Sequence, residues 1–480
     1  MLLPFRKPEN APPMKMTPYL MKSTIVGALG GLLFGFDTAV IAGTTEQLTL
    51  VYHLTSFTLG LTVFIGLAGT VVGAMGAGVL GQRIGGREAL RIMAILYTVS
   101  AIGCALAWNW PALMIFRFIG GLGIGGSSVL GPVYIAELAP AKWRGRMVGL
   151  FQVNIVIGIL LAYLSNYLIS LLNLGLTQWR WQLGVAGIPS ALFLIMLYGI
   201  PRSSRWLVTQ NKTDEALEVL KLMGSPNSEA ELREIMDSIH MERGMATESL
   251  FKRRYAKPIF LAVTIGLFNQ LSGINAILYY SNYIFAAAGF SQLSGALQTV
   301  LVGAMNLLAT LLGMSLIDKL GRKTLLLIGS VGTALCLAGV AAIFFTHSHQ
   351  SALVWLLVGY IFFFAISQGA VIWVYIAEVF PNRVRAKGQS LGSSAHWIMN
   401  AIISLLFPIL AKGERLPHST YSFVNPLIDL VNPTLAKTSP GVPFVFFGSM
   451  MAIQFLVVLA FYPETKGITL EQLQHKLGIN

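Results

Sequence analysis

"YIAELAPAKWRGR", residues 134–146, returns as "YIAEVFPNRVRAK" at residues 375–387 of this 480-residue chain. The echo sets Glu137 against Glu378 and Arg144 against Arg385, each pair 241 positions apart. A second echo, "GQRIGGREAL" at 81–90 against "IDKLGRKTLL" at 317–326, pairs Arg87 with Arg322 at an offset of 235. Hydrophobic runs long enough to cross a bilayer occupy roughly 22–44, 57–80, 89–108, 111–136, 147–170, 182–201, 258–284, 296–317, 324–345, 352–378, 388–411 and 441–462. Both echoes therefore fall in matching connections of two six-run halves, after the second and the fourth run. Two such halves in one orientation, related by an axis along the membrane normal, are an architecture of secondary transporters, with the binding site near the midplane between them.

Composition agrees with a polytopic membrane chain. Hydrophobic residues make up 55% and charged residues only 11%, against about 25% charged in soluble domains. The net charge of +13 invites a nucleic-acid reading, but the placement of the charges argues otherwise. Lys15, Lys22, Arg83, Arg87, Lys142, Arg144, Arg146, Lys252, Arg253, Arg254, Lys257, Lys319, Arg322, Lys323, Arg383, Arg385 and Lys387 all fall on alternate connections, and the intervening ones are nearly free of basic residues apart from Arg180 and a few in 412–440. This positive-inside bias places both termini in the cytoplasm and accounts for the charge without nucleic acid. Cys104 and Cys336 lie in apolar runs and offer neither a disulfide framework nor metal-ligand spacing.

The expected organisation is a cytoplasmic tail (1–21), a six-helix half (22–201), a cytoplasmic linker (202–257), a second six-helix half (258–462) and a cytoplasmic tail (463–480). The first tail is polar and basic and lacks the apolar core of a signal peptide, so the first span is expected to be retained. In the linker, "TDEALEVLKLMG" and "SEAELREIMDSIHMERG" read as short amphipathic helices, the first with Thr213 as its expected cap. Glu137 and Glu378, at the cytoplasmic ends of spans four and ten, are expected to pair with arginines in the following loops and lock the cytoplasmic faces together; Arg87, Arg144, Arg322 and Arg385 complete that candidate gate.

Only two charges lie well inside the runs, Asp37 in "LLFGFDTAVIAG" and Arg117 in span four. Counted at 1.5 Å per residue, both sit roughly 10 Å below the outer boundary. Matched depth and opposite sign make them expected partners, and an intramembrane acid is a functional candidate by default. A carboxylate whose distance from a cation changes with conformation changes its proton affinity, which is a coupling mechanism.

The motifs "FGFDTAVIAG", "RFIGGLGIGG", "ELAPAKWRGR", "NQLSGINAILYY", "DKLGRK", "EVFPNRVRAKG" and "YPETKGITLEQL" together resemble the sugar porters of the major facilitator superfamily, over residues 22 to 470. The resemblance implies an all-α membrane fold of twelve helices in two halves related by pseudo-twofold symmetry. It also implies four intracellular helices in the central segment and alternating access around a central hexose or pentose site. Proton symporters of that family resemble this chain in carrying Asp on span one and Arg on span four, whereas many facilitators are neutral at the Asp. Sugar hydroxyls both donate and accept, so amides suit them, and an aromatic face covers the apolar side of the ring. Asn269, Gln270 and Asn275 on span seven, Gln152, Asn306 and Asn400 lie inside apolar runs. By resemblance Gln152, Gln270, Asn275, Asn306, Trp373, Trp397 and Asn400 fall on sugar-contact positions. Gln270 and Asn275 do not share a face of an ideal helix, so a break near Ser272-Gly273 is expected.

Several positions depart from the family pattern. Asn269 stands for the first of two glutamines, Gly369-Ala370 for Gly-Pro, Ala365 for a Glu of several facilitators, and Arg202 for an acid after span six. His396 is read as a polar lining residue. The expected activity is proton-coupled symport of a monosaccharide across the cell (inner) membrane by a monomer, with no cofactor beyond the proton and no metal. No enzyme motif is present: "GGLGIGG" at 120–126 lies within a span, where its glycines serve helix packing. The alternatives are a uniporter in which Asp37 is structural, a polyol or inositol symporter, and a sugar sensor, which would normally carry a long tail.

Overall fold

The computed structural model describes residues 17–140, 143–244, 248–381, 383–412, 440–468 and 470–479. The expectations for the first tail up to residue 16 and for most of the 411–440 loop lie outside the described residues. Among the described residues twelve helices are long and apolar enough to span a bilayer: Pro18–Gly43, Ser56–Ile84, Gly86–Leu106, Trp110–Leu138, Arg144–Ser170 and Gly175–Gly199 in the first half, then Arg253–Tyr279, Gln292–Leu320, Arg322–Thr346, Gln350–Glu378, Lys387–Ala411 and Val442–Phe461 in the second. These are spans one to twelve. Several run further than the apolar runs, because hydropathy marks the hydrocarbon whereas backbone hydrogen bonding continues into the charged ends. Local chemistry sets the starts: the side chains of Thr17, Thr55, Asn109 and Ser291 each accept a hydrogen bond from a first-turn backbone N–H of spans one, two, four and eight. The "GGLGIGG" glycines pack spans two and four together, with Gly121 and Gly125 against the backbones of Gly66 and Thr70.

The internal repeat is visible in the contacts. Tyr134 Oη donates to the carbonyl of Pro201 at 2.6 Å, and Tyr375 Oη to that of Pro463 at 3.2 Å. The repeat around Arg87 needs a correction of one residue. Spans two and eight end on Gly85 and Gly321, with φ of 91° and 93°, a left-handed region that favours glycine. These two turns are the equivalent points, so Gly86 occupies the place of Arg322 and Arg87 that of Lys323. The extra glycine in "GGRE" hides this register in the sequence.

Apolar packing divides the molecule by depth. One core, including Phe36, Val40, Tyr163, Ile277, Tyr280 and Phe407, draws on both halves. At the end of the spans that bears the linker there are two separate cores among the described residues. One, with Leu20, Tyr134, Phe151 and Leu207, belongs to the first half; the other, with Leu261, Tyr375, Phe380 and Tyr462, belongs to the second. The halves thus share a core at the far end and have separate inner cores at the linker end.

The linker contains three described helices, Ser204–Thr209, Thr213–Leu222 and Ser228–Gly244, and a further helix, Leu470–Leu477, follows span twelve. The expectation of four in the central segment is corrected accordingly. Thr213 is the first helical residue and not the cap, a position held by Lys212 without a side-chain hydrogen bond. Leu207, Ala216 and Ile239 join the first inner core, and Leu473 and Leu477 the second.

Candidate functional site

Span seven breaks where its amides require it. Its helix Ala256–Leu271 stops, Gly273 takes φ of 84°, and Ile274–Tyr279 resumes on a new axis. A Cβ on Gly273 would meet the Phe447 ring of span twelve. Tyr360 of span ten donates to the freed carbonyl of Ser272 at 3.0 Å, satisfying a backbone group that a break inside a membrane must not leave bare. The break brings Asn275 round to Gln270: Asn275 Nδ2 donates to Gln270 Oε1 at 2.9 Å. Gln270 Nε2 donates to Asn269 Oδ1 at 3.1 Å and lies 3.1 Å from Nε2 of His396.

Around this amide chain stand the expected aromatics. Trp373 and Trp397 flank His396 with centroids 5.0 Å and 5.1 Å from its ring, and Phe34 of span one reaches Trp397 at 5.5 Å. Asn400 Nδ2 donates to Tyr279 Oη at 3.4 Å, while its Oδ1 accepts from Ser404 at 3.1 Å. Five of the eight sequence-chosen sugar positions (Asn269, Gln270, Asn275, Trp373 and Trp397) thus form one array with His396. Asn400 joins Tyr279 at its outer edge. Gln152 on span five and Asn306 on span eight make no hydrogen bond among the described residues.

Asp37 and Arg117 do meet. Arg117 Nη2 lies 3.8 Å from Asp37 Oδ2, with the guanidinium buried and the carboxylate partly open. The separation is an ion-pair contact but too long for a hydrogen bond, and Arg117 Nε is buried without a partner. Gly66 of span two leaves the space in which the guanidinium sits. Beside the pair is a cavity of about 20 Å³, lined by Asp37, Arg117 and Thr38 of the first half and by Tyr279 and Trp397 of the second. That volume suits one water molecule. Tyr279, which sequence reasoning passed over, accepts from Asn400 and lines the cavity with Asp37, Arg117 and Thr38, and so links the charged pair to the amide array. The "YY" within "NAILYY" was the available signal, but only the fold turns Tyr279 toward the cavity.

Among the described residues the charges at the linker end of the spans include two clusters, one in each half. Arg322 pairs with Glu378 and with Asp318, each at 2.9 Å, and Thr465 donates to Glu378 at 2.6 Å. In the first half Glu137 hydrogen-bonds Ser203 and faces Arg205. Arg87 does not reach Glu137: it pairs with its neighbour Glu88 at 2.6 Å, and Arg91 and Arg202 converge on the same carboxylate at 2.7 Å and 3.3 Å. The one-residue register explains this, since Arg87 occupies the place of Lys323. Arg202 therefore joins the network, with Glu88 supplying the acid that sequence reasoning found missing. Arg144 is exposed and Arg385 donates to the carbonyl of Phe380 at 3.3 Å. Among the described residues no ion pair joins Glu137 or Glu378 to the arginines of its following loop, and none bridges the two halves. The expected pairs are not formed in this arrangement, in keeping with the separate inner cores.

Glu464, in the tail, caps span nine: its carboxylate accepts from the backbone N–H of Arg322 at 2.9 Å and of Lys323 at 3.0 Å. Burial pushes this carboxyl up, but backbone donation from Lys466, Arg322, Lys323 and Thr465 outweighs burial and holds it below the usual glutamate range.

Known proteins share both this sequence and this shape. The family described as "Sugar (and other) transporter" matches residues 23–477. A D-xylose-proton symporter of Escherichia coli (strain K12) is 34% identical over 487 residues, covering 95% of each chain. An arabinose-proton symporter of Bacillus subtilis (strain 168) is 33% identical, over 95% of this chain and 94% of the relative. Among solved structures, the inward open conformation of the xylose transporter XylE from E. coli superposes with a TM-score of 0.80 at 33% identity, over 95% of this chain and all of that one.

Proposed function

Because this chain belongs to the sugar porter family of the major facilitator superfamily, we propose that it is a proton-coupled symporter of a monosaccharide, a pentose or a hexose, working by alternating access. It binds and gates and makes no covalent bond. Gln270, Asn275, Asn269, Trp373, Trp397 and Asn400 hold the sugar, with Gln152 and Asn306 joining from spans five and eight as the halves close. Asp37 carries the proton, and Arg117 sets how readily it is released. The proton is the coupling ion and no cofactor is required. The protein is a monomer in the cell (inner) membrane with both termini in the cytoplasm, without a nucleic-acid partner.

One observation carries this reading: the small cavity lined by Asp37 and Arg117 is lined also by Trp397 and Tyr279. A change in the protonation of Asp37 and a change in sugar occupancy therefore act on the same packed surface. This is the arrangement a coupling free energy between two ligands needs, since each ligand must alter what the other meets. The test is uptake of radiolabelled xylose, arabinose, glucose and myo-inositol into proteoliposomes, with and without an imposed pH gradient. Accumulation above equilibrium only with the gradient is expected, and Asp37→Asn should abolish it while sugar counterflow survives. Equal uptake with and without the gradient would make the protein a uniporter, and binding without flux a sensor.

A further inference from the structure

Spans nine, ten and twelve enclose a second concavity, unrelated to the sugar array. It is a groove of about 470 Å³ lined by Leu327, Val331, Leu335, Cys336, Phe363 and Phe455, among others, within the size range of ligand pockets. Leu327, Val331 and Leu335 follow one another at i+4 along span nine and share one face. One turn earlier on that face is Lys323, whose ammonium donates to the carbonyl of Leu459 at 2.9 Å. Leu459 in turn follows Phe455 at i+4 on span twelve. Two helical stripes therefore frame a single apolar channel with a cation at its cytoplasmic mouth. Span nine starts at Arg322, so at 1.5 Å per residue the groove runs from about 8 to 20 Å into the membrane. In a hydrocarbon layer about 30 Å thick this covers the inner part of the acyl chains of the leaflet on Lys323's side and ends just past the midplane.

The charges at the mouth select the headgroup. Arg322 is engaged by Asp318 and Glu378, and Glu464 is committed to backbone N–H groups. The ammonium groups of Lys319, Lys323 and Lys466 have no carboxylate in ion-pair reach among the described residues; that of Lys466 donates to the carbonyl of Lys319 and that of Lys323 to the carbonyl of Leu459, while the nearby Glu464 takes the backbone N–H groups of Lys323 and Lys466. Three ammonium groups thus lack an ion pair of their own where phosphates lie, and basic clusters at this level attract anionic lipid.

We propose that the groove between spans nine, ten and twelve binds one acyl chain of an anionic phospholipid of the cytoplasmic leaflet, whose phosphate is held by Lys323. The site is independent of the transported sugar and of proton coupling. It is tested by native mass spectrometry of the full-length protein in detergent, titrated with phosphatidylglycerol or with phosphatidylcholine of the same chains. Wild type is expected to retain one phosphatidylglycerol at several-fold lower concentration than phosphatidylcholine. Lys323→Gln should weaken phosphatidylglycerol retention at least fivefold and leave phosphatidylcholine unchanged. Leu335→Trp, which fills the groove from a residue 69% exposed, should weaken retention of both. Each variant is checked for monodispersity and unfolding temperature. Equal retention of the two lipids by wild type, or retention unmoved by both variants, would overturn the proposal. So would a two-chain species that Leu335→Trp dissociates, since the groove would then belong to a second copy.

Discussion

Asn275 hands a hydrogen bond to Gln270, Gln270 hands one to Asn269, and His396 closes the row on its other side. Each amide in such a row is satisfied by the next, so truncation strands a buried polar partner at a cost of about 1–3 kcal/mol. Gln270→Ala and Asn275→Ala are each expected to weaken sugar binding by about that amount, roughly five- to 150-fold, measured by tryptophan fluorescence titration, since Trp373 and Trp397 report on the site. Binding within twofold of wild type in both variants would place the site elsewhere. Glu464 supports a second expectation at this scale. Its carboxyl is held below the ordinary value of 4.5 by backbone donors, so the stability it contributes is present above that value and is lost as pH falls through the lowered folded value. In acid titration followed by thermal unfolding, Glu464→Gln should start less stable near neutral pH and lose less stability than wild type below about pH 4.5. Parallel curves for the two proteins would show that the cap contributes nothing.

Span seven shows how an element can be built around its own interruption. Ser272 and Gly273 end one helix, Tyr360 takes up the freed carbonyl, and the second helix points Asn275 back at Gln270. Gly273 carries the conformation: φ of 84° disfavours a Cβ, and the Phe447 ring leaves no room for one. Gly273→Ala combines left-handed strain of about 1–2 kcal/mol with overpacking of about 1–3 kcal/mol. It is expected to lower the unfolding temperature and also to weaken sugar binding, although it removes no sugar-facing group. Unchanged affinity in a destabilised variant would show that the break serves folding alone. The linker helices and the helix at 470–477 are simpler elements, each anchored by apolar residues to the inner core of its own half.

For the whole molecule, the arrangement of the cores sets the conformational state. A shared core lies outside and two separate cores lie inside, with the ion-pair clusters around Glu88 and Glu378 confined to their own halves. Closing the cytoplasmic side requires the two inner cores to approach as rigid bodies, which packed interiors allow more readily than internal deformation. Spin labels on Arg83→Cys and Lys319→Cys, exposed positions at the cytoplasmic ends of spans two and eight, should report this in a background lacking Cys104 and Cys336. Electron–electron resonance distances are expected to shift toward shorter values on adding transported sugar. A distribution that sugar leaves unmoved would contradict closure around the site.

Span number, the six-and-six division and the facing depths of Asp37 and Arg117 were all legible in the sequence. Each depends on distances measured along one chain: hydrocarbon thickness and helical rise. The break at Ser272-Gly273 was legible for the same reason, since two amides five residues apart can meet only if the helix stops. Other features depend on groups far apart in sequence. Arg87 was matched to the wrong partner because the left-handed turn at Gly85, invisible in the letters "GG", fixes the register. Glu88 gathers Arg202 from 114 positions away, and Tyr279, bonded to Asn400, lines the same cavity as Asp37 across the two halves. The open cytoplasmic side was beyond sequence reading altogether, because one sequence must serve both the open and the closed state, and only the packing between halves distinguishes them.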